Sequence, residues 1–152
     1  MPLTTKEQNL LLDDLNSEYL CIRKYQQYAS MASDPQIKQL FSDLATKEME
    51  HANTLKNILT QNNAPATSLF ETYNQPQGNN ASPTQNLGIT DAQLLFDSLH
   101  TEKHVSSVYN TSVLESVDTN IRKQLQHIQQ EEQNHAESLF NTLKSHGWYN
   151  VQ

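Results

Sequence analysis

The sequence repeats itself. An offset of 84 positions, with no gap, sets Glu18 on Glu102, Tyr25 on Tyr109, Asp34 on Asp118, Glu48 on Glu132 and His51 on His135, with Leu10, Leu11, Leu15, Ile37, Ala52, Leu55 and Leu59 also falling on residues of their own kind. Two copies of one unit face the same burial problem twice, and each solves it by covering the apolar face of the other. A chain of 152 residues has room for one domain built from two such halves and none for a second core of equal size, so residues 1–152 are read as a single domain.

Each half reads as a helical hairpin. Apolar residues recur at steps of three and four, without the period-two alternation of strands. Thr4-x-x-Glu7 and Thr90-x-x-Gln93 have the form of capping boxes, Asp34 before Pro35 and Asp118 that of N-caps, and Gly147 suits the position after a last helical turn. These signals predict helices over 5–31, 35–60, 91–116 and 119–145. Pro65, Pro76, Pro83, Gly78 and Gly88 gather instead between the halves, among Asn, Gln, Ser and Thr. The predicted fold is therefore all-α: a four-helix bundle of two hairpins, 4–60 and 90–146, joined by a linker over 61–89 and followed by a tail over 147–152.

So long a linker suits a crossover. A helix of about 27 residues is about 40 Å long, and a segment that runs back along it joins helices 2 and 3 pointing the same way. The extended linker reaches roughly twice that distance, so Leu69, Phe70 and Tyr73 are expected to dock against the bundle.

The core stripes contain an anomaly. Helix 2 reads Ile37, Phe41, Leu44, Glu48, His51, Leu55, Ile58, and helix 4 reads Ile121, Leu125, Ile128, Glu132, His135, Leu139. Helices 1 and 3 read Leu11, Leu15, Glu18, Ile22, Tyr25 and Leu95, Leu99, Glu102, Val105, Tyr109. Every helix thus turns a glutamate inward. Buried carboxylates are expensive without a positive partner, and no Lys or Arg shares the stripes: Arg23, Lys24, Lys47 and Lys103 face away. Two divalent cations would balance Glu18, Glu48, Glu102 and Glu132, with His51 and His135 as nitrogen donors.

Heights agree with faces. Glu18 and Glu48 stand equally far from the turn before Asp34, as Glu102 and Glu132 do from the turn before Asp118. One Glu from each of two helices plus Glu-x-x-His from each of the others is the ligand set of a dinuclear carboxylate centre in a bundle. In that reading Glu48 and Glu132 bridge, Glu18 and Glu102 are terminal, and each histidine binds one ion. Such ligands suit iron or manganese and, less selectively, zinc. The alternative is six polar groups satisfying one another with no ion, which needs still more partners. Tyr25 and Tyr109 lie two turns beyond their glutamates, either reaching a ligand through the hydroxyl or simply filling core. His100, His104, His127 and His146 fall off the stripes, and Glu50 and Glu131 turn about 100° from their motifs, so all six are expected at the surface.

Composition excludes other classes. A net charge of −7 with no basic stripe argues against nucleic acid, and the absence of a long apolar run argues against a membrane span. No leader pattern opens the sequence, so a cytosolic location is expected. Cys21, the single cysteine, reads as a small core or boundary residue.

The pattern Glu18, Glu48-Met49-Glu50-His51, Glu102, Glu132-Gln133-Asn134-His135 resembles the ferritin-like superfamily, with spacing near that of rubrerythrins and bacterioferritins. Within it, Leu99-His100-Thr101-Glu102-Lys103-His104, Val108-Tyr109-Asn110-Thr111, Gln130-Glu131-Glu132 and the closing His146-Gly147-Trp148-Tyr149 resemble the Coat F family of spore coat-like proteins. The resemblance implies a ferritin-like fold and a di-iron or di-manganese site on the residues above. It does not by itself imply an activity; the two expectations are oxygen or peroxide redox chemistry of a ferroxidase or peroxidase kind at the metal pair, and a non-enzymatic coat or stress-associated assembly role. A homodimer or other coat proteins are the implied partners, and the spore coat the implied location in a sporulating organism. The Gly-Trp-Tyr tail is expected to pack Trp148 or Tyr149 against the bundle end.

Overall fold

The computed structural model describes residues 1–68 and 88–150. Its helices are α1 (Thr5–Met31), α2 (Pro35–Gln61), α3 (Asp91–Glu115) and α4 (Thr119–Ser145), with no strand among the described residues. The predicted ends differ from these by one residue at most. Thr4 and Thr90 form complete capping boxes, and the Asp34 and Asp118 carboxylates accept N–H groups of the first turns of α2 and α4. Helix α4 ends as expected at Gly147, with φ +71°, where the Gly147 and Trp148 amides donate to the carbonyls of Lys144 and Leu143. Asn63 supplies the same left-handed turn after α2, with φ +55°, because a short polar side chain tolerates that region.

Each hairpin is tightly packed within itself, and the hairpins meet through α1 against α3 and α2 against α4. Lys6 at the start of α1 pairs with Glu115 at the end of α3 at 2.8 Å, while Tyr28 near the end of α1 donates to Asp97 near the start of α3 at 2.6 Å. Helices α1 and α3 are therefore antiparallel. Since α1 and α2 form a hairpin, α2 and α3 run the same way, as a crossover requires. Leu69, Phe70 and Tyr73 lie outside the described residues.

All four predicted stripes are buried. Tyr25 stacks on Phe41 at 6.0 Å, and the tail is held by Tyr149, which packs on Phe96 at 5.6 Å and Phe140 at 5.0 Å. Trp148 stacks on His146 at 4.5 Å and stays exposed, so Tyr149 is the residue that closes the bundle end. Cys21 is buried.

One carboxylate ties both hairpins together. Glu7 Oε2 accepts from the Thr4 amide and hydroxyl, each at 2.8 Å, and Oε1 accepts from the Val117 amide in the α3–α4 turn at 2.8 Å. Burial pushes the Glu7 carboxyl up, but the bonds from Val117 and Thr4 outweigh it and hold the group below its ordinary value. Glu7→Ala should cost about 1–2 kcal/mol in urea unfolding at pH 7, through the lost cap and the orphaned Val117 amide. A group with a lowered folded pKa stabilises fully above its unfolded value, and that stability is lost as pH falls through the folded one. The gap between wild type and variant should therefore narrow in acid; a gap of constant size down to pH 2 would contradict the assignment.

Candidate metal centre

Helical phase brings Glu18 from α1, Glu48 and His51 from α2, Glu102 from α3, and Glu132 and His135 from α4 to one point in the bundle interior. The four glutamates are 0 % exposed, His51 is 2 % and His135 is 7 %. Two ligand groups form, Glu18, Glu48, His51, Glu132 and Glu48, Glu102, Glu132, His135, and in each the donor atoms lie within 4.8 Å of one another. Glu48 and Glu132 belong to both.

The contacts show how the sharing works. His51 Nδ1 lies 3.1 Å from Glu48 Oε2 and 3.2 Å from Glu132 Oε1, while His135 Nδ1 lies 3.2 Å from Glu48 Oε1 and 3.3 Å from Glu132 Oε2. Each central carboxylate thus meets both imidazoles, one through each oxygen. Glu18 and Glu102 each approach a single histidine, His51 and His135 respectively, at 3.7 Å. The rings stack with centroids 5.7 Å apart.

Both tyrosines reach a ligand, but across the bundle rather than along their own helix. Tyr25 donates to Glu102 Oε1 and Tyr109 to Glu18 Oε1. A tyrosine two turns from its own glutamate is level with the opposite one because α1 and α3 are antiparallel. Burial raises both phenol pKa values well above the ordinary one, with the neighbouring carboxylate charges adding to it, so both hydroxyls keep their protons and donate.

Three buried carboxylate oxygens, Glu18 Oε2, Glu102 Oε2 and Glu132 Oε2, have no hydrogen-bond partner among the described residues. Buried acceptors are rarely left so. Among the described residues no lysine or arginine compensates: Lys24 turns outward to Asp97 and Thr101, and Lys47 pairs with Glu50. The donor set, hard oxygens with two imidazole nitrogens and three unsatisfied acceptors, fits divalent cations.

Protons can occupy the cluster in their place. Burial drives Glu48 well above the ordinary carboxylate range and Glu132 to about 8, with the Glu18 charge contributing to both. Burial also pushes Glu18 and Glu102 up, yet the imidazole charge beside each, His51 for Glu18 and His135 for Glu102, and the tyrosine hydroxyl bonded to each leave both below their ordinary values. Desolvation opposes charge on the histidines, but the surrounding carboxylates overcome it, raising His51 strongly and His135 to about 12. Two ionised and two protonated carboxyls beside two imidazolium rings make a neutral cluster.

Two residues escaped the sequence reading. Glu131, expected at the surface, has a side chain only 20 % exposed and accepts from His51 Nε2 at 2.6 Å, while His127 Nε2 pairs with its other oxygen at 2.9 Å. A position 100° from the stripe faces the seam with the next helix, not open water. Asp14, one turn before Glu18, is 1 % exposed and accepts from Ser112 at 2.5 Å; burial raises its carboxyl to about 7. Its step of four before Glu18 was the available signal. Glu50, His100, His104, His127 and His146 are exposed, as expected.

The Coat F domain family matches residues 90–152. No curated protein matches the sequence at a significant level. Among solved structures, a protein from Bacillus halodurans C-125 provisionally named a spore coat protein aligns with TM-score 0.80 and 13% identity, over 100% of this chain and 94% of that one. A conserved hypothetical protein from Mycobacterium tuberculosis aligns with TM-score 0.72 and 15% identity, over 93% and 100%. A two-domain protein from Anabaena variabilis, with DJ-1/ThiJ/PfpI-like and ferritin-like domains, aligns with TM-score 0.73 and 14% identity, over 96% of this chain and 38% of that one. Residues 90–152 thus carry the Coat F match that their motifs indicate, and the chain as a whole has the ferritin-like four-helix fold.

Proposed function

We propose that this chain is a Coat F-like protein whose bundle core binds two divalent iron or manganese ions and uses them in oxygen or peroxide redox chemistry. The observation that carries the reading is the pair of overlapping ligand groups, sharing Glu48 and Glu132 and leaving three buried acceptors unsatisfied. Glu18 and His51 would serve one ion, Glu102 and His135 the other, with Glu48 and Glu132 between them. A bound iron pair supplies electrons to oxygen or peroxide that side chains of this type cannot supply.

The chain's own residues prepare that chemistry. Glu131 accepts the Nε2 proton of His51, so it is the Nδ1 proton that would leave on cation binding, and the Nδ1 lone pair would then serve the ion held among the carboxylates. Tyr25 and Tyr109 hold Glu102 and Glu18 by one oxygen each and leave the other free. Fully buried walls of leucine, isoleucine and phenylalanine keep bulk water from the centre, which strengthens every charge interaction inside it.

A second reading is favoured by the Coat F match and the Bacillus halodurans likeness: a coat or stress-associated assembly protein, partnered by its own copy or by other coat proteins, in which metal serves stability alone. A spore coat location would follow for an organism that sporulates. Metal analysis after anaerobic reloading with ferrous iron, followed by oxygen and peroxide consumption, separates the two. The first reading expects close to two ions per chain and turnover above that of free iron. Two ions, a raised melting temperature and background turnover would favour the second, and well under one ion per chain would sink both forms of the metal site.

A further inference from the structure

The centre has an approximate twofold symmetry, and the contact behind one histidine breaks it. On the inner side the cross-bundle contacts match: His51 Nδ1 is 3.2 Å from Glu132 Oε1 and His135 Nδ1 is 3.2 Å from Glu48 Oε1, each 3.7 Å from its terminal glutamate, and only the contact within each helix differs slightly, 3.1 Å and bonded for His51–Glu48 against 3.3 Å and unbonded for His135–Glu132. The tyrosine bonds exchange in the same way. On the outer side they differ. His51 Nε2 donates to Glu131 at 2.6 Å, whereas every hydrogen bond and ion pair of His135 among the described residues uses Nδ1.

The repeat explains the difference. The position that Glu131 holds in α4 is held in α2 by Lys47, 84 residues earlier, and its ammonium pairs with Glu50 at 2.8 Å. One copy of the unit therefore sets a carboxylate behind the histidine opposite, and at the equivalent position the other copy carries a lysine, which offers His135 no acceptor. A carboxylate on the far nitrogen fixes tautomer and ring orientation and strengthens the near nitrogen as a donor. A lysine can do none of this.

We propose that the two halves of the centre are inequivalent: the half built on Glu18 and His51, backed by Glu131, takes the first divalent cation and holds it more tightly than the half built on Glu102 and His135. The proposal rests on the cation-binding reading above. Glu131 touches no ion in this scheme; it is a positioning residue that acts through His51. The asymmetry lets a singly loaded state persist, in which one ion sits while the second exchanges.

Manganese alone, titrated into the metal-free full-length chain and followed by electron paramagnetic resonance, tests this. At one equivalent the wild type should give mainly the hyperfine-split spectrum of isolated manganese, converting at two equivalents to the broad spectrum of a coupled pair. Glu131→Ala should weaken the first step by roughly 10–100-fold, bringing the two affinities together so that a coupled signal appears before one equivalent. Glu131→Gln, which keeps an acceptor without the charge, should fall between. Lys47→Glu should strengthen the second step and leave the first unchanged, a gain that general disturbance of the bundle cannot produce. Equal steps in the wild type, equal weakening of both steps in Glu131→Ala, or no response of the second step to Lys47→Glu would each overturn the proposal. A protein that binds no manganese at all would overturn the cation reading beneath it, and is distinguished from those outcomes by the absence of any bound signal.

Discussion

Glu48→Ala should cost the protein both ions, whereas Glu18→Ala should cost it one. Both glutamates are fully buried and each is one carboxylate among four, so a plain count of charges would make the two substitutions equivalent. Their geometry does not. Glu48 meets His51 through Oε2 at 3.1 Å and His135 through Oε1 at 3.2 Å, and it belongs to both ligand groups. Glu18 belongs to one. Removing Glu48 takes an oxygen from each prospective ion and also the negative charge that separates them, while removing Glu18 leaves Glu48, Glu102, Glu132 and His135 intact. Metal content after reloading and desalting should fall from about two per chain to near zero in Glu48→Ala and to about one in Glu18→Ala. His135→Ala should behave as Glu18→Ala does, sparing the ion held by His51. Circular dichroism and melting temperature, measured on the same samples without metal, check that each variant is folded. Equal losses in Glu48→Ala and Glu18→Ala, with both folded, would show that the central carboxylates are not shared.

Filling the centre with manganese at pH 7 should release about four protons per chain. Ions and protons compete for the same atoms, because a carboxylate or imidazole can bind a metal only when deprotonated. In the cation-free cluster burial keeps Glu48 and Glu132 protonated, the latter with a pKa of about 8, and the carboxylates keep both histidines charged. Two divalent ions can replace those charges and leave the site neutral, with all carboxyls ionised and both rings uncharged. The sign of the pH dependence follows: lowering the pH favours the protonated cluster and weakens binding, by roughly a hundredfold per ion for each unit if two protons leave with each. An indicator dye in weakly buffered solution reads the release directly. Release near zero, with ions bound, would mean that the ligands are already deprotonated in the empty protein and that the cluster is held together by something other than protons.

The fold was legible because its signals are local. Capping boxes at Thr4 and Thr90 and the caps at Asp34 and Asp118 act within one helical turn, so they can be read without knowing what the helix packs against. The inward phase of the six polar residues follows likewise from the apolar neighbours on each helix. Tyr25 and Tyr109 were partly legible: their face was, but their partners were not. Each lies two turns beyond its own glutamate and bonds the other one, because antiparallel α1 and α3 bring residues of rising and falling number to the same height. Glu131 was misread, since one turn angle places it off the stripe and says nothing about how near the neighbouring helix comes.

On its own, then, the amino-acid order determined four helices, their inner faces and the gathering of Glu18, Glu48, His51, Glu102, Glu132 and His135 on those faces, since periodicity and capping depend only on near neighbours in the chain. Tertiary structure alone decided which oxygen meets which nitrogen, which tyrosine serves which carboxylate, and that His51 has a glutamate behind it while His135 has none among the described residues. Those pairings depend on the distance and rotation between helices, and these are set by how the two hairpins press together rather than by either hairpin's own period.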